Sequence, residues 1–231
     1  MTKANPKPGA TIVFDLDGTL VDSAHDLIAT LNRVIEEEGV PPLSTDHVGH
    51  LVGQGALKML DKAYAYCGKT LDTDLRAALH QKFLALYDSH IADQTRPFDG
   101  VLDVLDNLKA EGWLLAVCTN KYEGMSKKLL KLLEMDTYFE AICGSDTFPV
   151  RKPDPKHLWA TIEEAGGVNH RSIMVGDSAT DVNTAKAANI PIIGVPFGYT
   201  DVPMEELAPT KLVSHYRDMK ATITEIATAF D

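Results

Sequence analysis

Short runs of consecutive apolar residues alternate along the chain with longer segments in which apolar residues recur every three or four positions. The short runs lie at 11–15, 114–119, 172–177 and 190–195. Each of them ends in small or polar residues. Nearly continuous apolar strands are typical of a sheet that is buried on both faces. The pattern therefore predicts four strands at the centre of the fold.

Helical periodicity fills the intervals next to the later runs. Amphipathic patterns occupy 101–111, 122–134, 155–165 and 179–188. A regular alternation of strand and helix indicates a parallel sheet, because each parallel neighbour has to be reached by a crossover. We therefore expect an α/β protein with a doubly wound, Rossmann-like core.

Almost a hundred residues separate the first run from the second, far more than one crossover requires. Three segments of this interval have apolar residues at helical spacing: 26–39, 55–68 and 75–90. The stretch 96–100, with its proline and glycine, suits a hinge that returns the chain to the core. We predict a helical cap at 22–96, inserted into a catalytic core made of 1–21 and 97–231.

The composition limits which classes of binding partner and which cellular compartment fit the chain. The chain has 22 Lys and Arg against 33 Asp and Glu, and its net charge of −11 disfavours nucleic acid and anionic membranes as partners. The three cysteines form no C-x-x-C pair, which favours a reducing cytoplasm over a disulfide framework or structural zinc. Neither a secretory leader nor a membrane span is indicated. We expect a cytoplasmic monomer or small homo-oligomer.

Carboxylates follow two of the predicted strands. Asp15 follows the apolar residues 12–14 directly, with Asp17 two residues further on, and Asp177 and Asp181 follow 172–176. Ligands of open parallel sheets bind beyond the carboxyl ends of the strands, so we expect these side chains at one edge. Crowding there raises the pKa values of carboxylates unless a cation lies among them. Because only oxygen donors are available, Mg²⁺ is expected rather than Zn²⁺.

Three further polar residues belong to the same predicted edge. Thr119 and Asn120 follow the second strand, and Lys152 lies in a proline-flanked loop. Asp15 can attack phosphorus while the cation and Lys152 offset the repulsion between two anions. Taken singly, each residue has a simpler interpretation as a turn residue, a helix cap or a surface lysine. The combination favours phosphoryl transfer.

Four motifs stand in a fixed order: D-x-D-G-T-L-V-D-S at 15–23, C-T-N-K at 118–121, R-K-P-D-P at 151–155 and G-D-S-A-T-D at 176–181. Together they resemble the haloacid dehalogenase superfamily of phosphatases over nearly the whole chain. The resemblance implies that Asp15 is the phosphorylated nucleophile and Asp17 the general acid and base. It implies that Thr119 and Lys152 bind the phosphoryl group.

The same resemblance implies a ligand set for Mg²⁺. Asp15 and Asp177 would hold the ion with the backbone carbonyl of Asp17, and Asp181 would support the metal and Lys152. Asp17 disfavours a dehalogenase, which lacks this second aspartate. Leu27 stands twelve residues after Asp15, where the related sugar phosphomutases carry a histidine.

Among members with a helical cap, residues 50–60 and 196–201 resemble phosphoglycolate phosphatases. This resemblance implies a small phosphorylated metabolite as the substrate, with 2-phosphoglycolate favoured. Gln54, the glycine amides around it and Lys58 are the candidate contacts for its carboxylate. An exposed helix position explains Gln54 and Lys58 equally well, and a phosphonatase with Lys58 as Schiff-base former stays open.

Other functions stay as alternatives. The substrate could instead be a sugar phosphate, a nucleoside monophosphate or pyrophosphate. A receiver-type phosphoacceptor domain shares the acceptor aspartate, the acidic metal ligands, the threonine and the lysine, but it needs neither Asp17 nor a helical lid. A catalytically silent binding protein on the same fold is disfavoured by the intact motifs.

Overall fold

The computed structural model describes residues 6–44, 52 and 55–230. Within them the strands are β1 (Thr11–Phe14), β2 (Val21–Asp22), β3 (Arg96–Pro97), β4 (Leu114–Cys118), β5 (Ala141–Cys143), β6 (Ser172–Gly176), β7 (Ile192–Gly194) and β8 (Lys211–Leu212). The helices in the same part of the chain are α1 (Ala24–Glu36), α2 (Ala56–Tyr66), α3 (Thr73–Ser89), α4 (Val101–Glu111), α5 (Glu123–Leu132), α6 (Pro155–Glu164), α7 (Ala179–Ala188) and α8 (Met219–Ala227). No helix among these residues has the length and apolarity needed to cross a membrane.

The central sheet has six parallel strands in the order β5-β4-β1-β6-β7-β8. β1 lies in the middle, where Phe14 pairs with Val117 of β4 on one side and with Val175 of β6 on the other. From β1 the chain builds outward through β4 and β5, then crosses to the other side of β1 at β6. This reversal brings the carboxyl ends of β1, β4 and β6 side by side.

Both faces of the sheet are covered. Val13 of β1 joins the core beneath α6 and α7, whereas Ile12 and Phe14 join the core on the other face, which includes α4 and α8. All three side chains are fully buried. Burial on both faces explains why the strands read as uninterrupted apolar runs. The prediction of a doubly wound α/β core is confirmed.

The helical insertion lies between β2 and β3 and forms a cap. α1 packs on α3, and α3 packs on α2. β2 and β3 pair antiparallel where the chain leaves and re-enters the core, with Val21 opposite Pro97. The predicted cap is confirmed as helical, while its exact division at residues 22 and 96 stays a prediction.

Several short elements have no counterpart in the sequence pattern: β2, β3, β5, β8 and α8. β5 has three residues and β8 only two, and the residues of β8 are partly exposed. A run of two or three residues is too short to establish a period of two. Long-range pairing with β4 and β7 makes these segments strands.

The buried strand β1 supports a prediction about stability. We expect Phe14→Ala to lower the free energy of unfolding by about 3–5 kcal/mol, because it leaves a cavity in a closely packed core. Leu102→Ala, at a position of α4 that is 42% exposed, is the control and should change that energy by less than about 0.5 kcal/mol. Urea unfolding measures both values. Equal losses would contradict the core position of Phe14.

Candidate active site

Backbone hydrogen bonds place the first residues of the site beyond the strand ends. Asp15 N–H donates to Val175 O at 2.9 Å and so extends the β1–β6 ladder by one residue. Thr119 N–H donates to Cys143 O at 3.0 Å and does the same between β4 and β5. Both side chains therefore start from a rigid edge of the sheet.

Three carboxylates meet at this edge. One oxygen from each of Asp15, Asp177 and Asp181 lies within 4.8 Å of the other two. These residues are 6%, 1% and 0% exposed. An all-oxygen donor set in a buried position fits a hard divalent cation. The structure thus brings together three of the four predicted acidic positions through their side chains.

Each of these carboxylates is oriented by its own partners. Asp177 accepts hydrogen bonds from Thr19 Oγ1 at 2.8 Å and from Tyr199 N–H at 2.6 Å. Asp15 Oδ1 accepts from Leu16 N–H at 2.7 Å. Because the oxygens are already held, binding a cation would require little reorganisation of the side chains.

Asp181 has two structural partners besides its place in the cluster. Its Oδ2 accepts from Ser178 N–H at 3.0 Å and from Ser178 Oγ at 2.7 Å, which fastens the start of α7. Its Oδ1 accepts from Lys152 Nζ at 2.6 Å. Asp181 therefore stabilises the start of the helix, and the same side chain also orients the lysine.

Lys152 is not a surface lysine. It is 3% exposed, and its Nζ lies 2.9 Å from Asp15 Oδ1. Asp154 accepts from Lys156 N–H, and with Pro155 at the first turn it starts α6 just beyond the lysine. Burial alone would lower the pKa of Lys152, but the charges of Asp15 and Asp181 outweigh it and raise that pKa. The ammonium group stays charged.

Two of the carboxylates have raised pKa values. Burial, assisted by the charge of Asp181 and opposed by Lys152, raises the pKa of Asp15 to about 6. Burial, together with the charges of Asp181 and Asp15, raises the pKa of Asp177 well above its ordinary value. In their ionised forms, the three carboxylates and one ammonium group leave two negative charges, which a divalent cation would neutralise. The residues present therefore fit a metal ion.

The side chain of Asp17 is not part of this cluster. Its Oδ1 accepts from Ser23 Oγ at 2.6 Å, and both of its oxygens lie 2.8 Å from Lys121 Nζ. The carboxylate of Asp17 is thus not placed as a metal ligand, in contrast to those of the other three acidic residues. Only its backbone carbonyl is left as the contribution to a metal that the family resemblance implies.

Thr119 and Asn120 do not cap the next helix, since α5 begins after Tyr122 as its N-cap residue. Thr119 is 2% exposed, and its Oγ1 accepts from Lys121 N–H at 3.2 Å, which leaves the hydroxyl hydrogen for another acceptor. Asn120 donates from Nδ2 to Lys152 O at 3.2 Å. Its buried Oδ1 has no hydrogen-bond partner within the described chain.

The orphan oxygen of Asn120 bears on its predicted substrate contact. An acceptor repels a phosphoryl oxygen, so Oδ1 suits a hydroxyl group or a water molecule instead. Turning the amide over would set Oδ1 against the carbonyl of Lys152, which supports the orientation observed. Asn120 therefore lines the site, but its acceptor cannot bind the phosphoryl oxygens directly.

A cleft of about 910 Å³, part of it open to solvent, lies between the core edge and the cap. Its core side includes Asp15, Asp17 and Thr119, and its cap side includes Lys58 of α2 and Tyr87 of α3. Lys58 is exposed. Gln54 falls outside the described residues.

Sequence reasoning gave no part in the site to four residues that orient it: Thr19, Ser23, Lys121 and Tyr199. Tyr199 holds Asp177 through its N–H, and its hydroxyl donates to Asp22 at 2.6 Å and accepts from Ser23 N–H at 2.7 Å at the start of α1. Lys121 stands next to Asn120 within the C-T-N-K motif. That adjacency was the one signal that pointed to it.

The comparisons with known proteins agree with this architecture. A model of the haloacid dehalogenase-like hydrolase family matches residues 12–195. The chain therefore belongs to this family, and the predictions of the family and of a hydrolase are confirmed.

Individual relatives are similar over nearly their full length. The phosphoglycolate phosphatase of Caulobacter vibrioides is 43% identical over 217 residues, which cover 94% of this chain and 92% of the relative. That of Agrobacterium fabrum is 45% identical over 213 residues, 92% of this chain and 91% of the relative. The predicted resemblance to this group is confirmed.

A solved structure shows the same arrangement of elements. The crystal structure of a predicted phosphoglycolate phosphatase from Haemophilus somnus superimposes with a TM-score of 0.86 at 27% identity. The match covers 96% of this chain and 99% of that one. The fold is thus shared over nearly the whole length of both chains.

Proposed function

We propose that this chain is a Mg²⁺-dependent phosphomonoesterase that forms an aspartyl phosphate on Asp15, with 2-phosphoglycolate as its substrate. The observation that carries the proposal is the pairing of Asp15, which lines the cleft, with Lys152 beside a cluster of buried carboxylate oxygens. An anion attacks a phosphate only where positive charge offsets their repulsion. Lys152 supplies one such charge.

In the first transfer, an Asp15 oxygen forms a bond to phosphorus as the bond from phosphorus to the substrate oxygen breaks. Asp17 gives its proton to that leaving oxygen, so the alcohol departs neutral. Thr119 Oγ and Lys152 Nζ bind the transferred oxygens. Both groups are buried; Thr119 stands at the sheet edge, and Lys152 is held by its contacts with Asp15 and Asp181, which favours accurate positioning.

In the second transfer, Asp17, now a carboxylate, takes a proton from a water molecule. The resulting hydroxide adds to phosphorus as the bond to Asp15 breaks, which releases phosphate and restores the Asp15 carboxylate. Proton and charge therefore balance over the cycle, and Asp17 ends protonated as it began.

The residues suited to hold Mg²⁺ are Asp15 and Asp177, with the backbone carbonyl of Asp17, while Asp181 orients Lys152. When bound, the cation would polarise the phosphoryl oxygens and offset the charge of the transition state. Thr19 and Tyr199 support this role because they fix both oxygens of Asp177.

We choose 2-phosphoglycolate because the relatives are named phosphoglycolate phosphatases and because Lys58 lies on the cap side of the cleft. The cysteines Cys67, Cys118 and Cys143 are free thiols, which is consistent with a reducing cytoplasm. The cytoplasmic location stays a prediction, as does the monomeric or small homo-oligomeric state.

The proposed substrate is tested by phosphate release from a panel that includes 2-phosphoglycolate, sugar phosphates, nucleoside monophosphates and pyrophosphate. We expect 2-phosphoglycolate to have the highest kcat/KM with Mg²⁺ present. Ethyl phosphate, which has a methyl group in place of the carboxylate, should have a kcat/KM lower by about 10–100-fold if the carboxylate is recognised. A sugar phosphate at the top of the panel would replace the substrate and leave the mechanism in place.

Lys58 supports a prediction about carboxylate recognition. We expect Lys58→Ala to raise KM for 2-phosphoglycolate by about 10-fold and to leave KM for ethyl phosphate unchanged, since only the first ester carries the second anion. Lys62, one turn further along α2 and paired at 4.0 Å with Asp201, is the matched control. A KM for 2-phosphoglycolate that is unchanged in Lys58→Ala assigns the residue to the exposed helix surface.

A further inference from the structure

The side chain of Lys121 is enclosed at the junction of core and cap. Its side chain is only 5% exposed. Its Nζ lies 2.8 Å from each oxygen of Asp17 and 2.8 Å from the hydroxyl of Tyr87. The same ammonium group stands 4.6 Å from the centre of the Tyr87 ring. Lys121 therefore links the loop after β1, the loop after β4 and cap helix α3.

The loop that carries Lys121 is anchored on its other side. Ser145 N–H donates to Lys121 O at 3.0 Å, so the loop after β5 holds the backbone. Gly144 makes this contact possible, because a Cβ there would lie 2.6 Å from Lys121 O and 2.2 Å from Glu123 N. The direction of the lysine side chain is thus set by contacts that do not involve substrate.

The hydrogen-bonding capacity of the ammonium group is used up. A lysine has three N–H donors and no acceptor, and three acceptor oxygens lie at 2.8 Å: two of Asp17 and one of Tyr87. No donor remains for a substrate oxygen in this arrangement. The geometry therefore favours Lys121 as a partner of Asp17 rather than as a ligand of the substrate.

Asp17 is held by this contact in one orientation. Ser23 Oγ fixes Oδ1 from the hinge, and Lys121 spans both oxygens from the core. A group that passes a proton must be aimed to within a fraction of an ångström. Without Lys121, the carboxyl group would have Ser23 as its one remaining anchor among the contacts described here.

We propose that Lys121 is a positioning residue that aims Asp17 at the leaving oxygen and, through Tyr87, makes this aim depend on the closed cap. The inference rests on the proposed function, in which Asp17 is the acid and base. Tyr87 belongs to α3, is 2% exposed and stacks with Phe83 at 5.8 Å between ring centroids. When the cap opens, α3 carries Tyr87 away, and Lys121 loses one of its three partners.

This coupling places proton transfer after closure. Asp17 is fully aligned only when α3 has returned over the cleft, at which point bulk water is excluded from the reacting groups. A substrate that does not permit closure would then bind without being protonated efficiently. Lys121 thus contributes to selection at the level of kcat.

The test compares two leaving groups in wild type, Lys121→Met and Tyr87→Phe. One ester is the preferred alkyl phosphate of the panel, whose alkoxide needs a proton. The other is p-nitrophenyl phosphate, whose phenolate leaves without one. We expect Lys121→Met to lower kcat for the alkyl ester about 100-fold, within the range of general acid catalysis, with KM unchanged within about 3-fold. The burst of p-nitrophenolate should slow by less than about 5-fold.

Two further variants separate positioning from a general loss of structure. In the Asp17→Asn background, Lys121→Met should lower kcat for the alkyl ester by less than about a further 3-fold, because both changes remove the same function. Lys127→Met, on the exposed side of α5, is the matched control and should resemble wild type. If Lys121→Met fails to fold, Tyr87→Phe tests the proposal instead. We expect this variant to lower kcat by about 3–10-fold for the alkyl ester and to leave p-nitrophenyl phosphate unaffected.

Contrary outcomes are distinct. A raised KM with unchanged kcat in Lys121→Met would make the lysine a substrate ligand and overturn the proposal. Equal losses for both esters, or effects that multiply with Asp17→Asn, would also overturn it. Failure of the proposed function looks different, since wild type would hydrolyse no phosphate ester, or Asp17→Asn would match wild type on the alkyl ester.

Discussion

Asp15→Asn is expected to lower kcat by about 10⁴-fold or more for every phosphate ester that the protein hydrolyses. The amide occupies the same space but is a far weaker nucleophile, so the phosphoryl group has no acceptor on the enzyme. Steady-state phosphate release measures the loss. Acid quenching followed by mass spectrometry should detect a phosphorylated peptide containing Asp15 in wild type and none in the variant.

Folding should survive this change. Burial raises the pKa of Asp15 to about 6, so the charged carboxylate is costly there, and Asn removes that charge while Lys152 keeps Asp181 as a partner. Asp103→Asn, at an exposed position of α4, is the matched control and should retain wild-type turnover. Activity of Asp15→Asn within 10-fold of wild type would refute the covalent mechanism and favour direct attack by water.

Removal of divalent cations is expected to abolish turnover, and added Mg²⁺ should restore it. When all three carboxylates are ionised, the cluster of Asp15, Asp177 and Asp181 with Lys152 has two negative charges in excess, which repel an incoming phosphate dianion until a cation neutralises them. We expect a fall of at least about 10³-fold in kcat/KM with a chelator. A titration with Mg²⁺ gives the dependence.

A measurement independent of catalysis separates binding of the cation from its effect on the reaction. Mg²⁺ should raise the Tm of wild type, because an ion that binds only the folded state stabilises it. Asp177→Asn removes one proposed ligand and should abolish this shift, whereas Asp103→Asn should keep it. Full activity in excess chelator, or an equal shift in Asp177→Asn, would contradict a metal site at these residues.

The motif positions of the site could be predicted because they follow uninterrupted apolar strands. Asp15, Thr119 and Asp177 each come directly after such a strand, and parallel strands end at a common edge. Lys152 was predicted from its motif, although nothing in the isolated loop distinguishes it from a surface lysine. The structure brings these positions together, while their catalytic roles stay proposals.

The sequence by itself determined the doubly wound core, the helical cap and the order in which polar groups reach the sheet edge. Period and run length are local properties of the chain, so they can be read without coordinates. The short edge strand β8 and the hinge strands β2 and β3 were beyond this reading, because two-residue segments acquire their structure only from their partners.

The family resemblance had already implied that Asp181 supports Lys152, but only the tertiary structure decided which groups hold Asp17 and Asp177. Asp181 turns to Lys152, Asp177 to Thr19 and Tyr199, and Asp17 to Lys121, although these residues are as far as 158 positions apart in the chain. Each choice depends on which buried oxygen meets which donor once the strands are aligned. A buried charge must find a partner in three dimensions, and spacing along the sequence does not specify that partner.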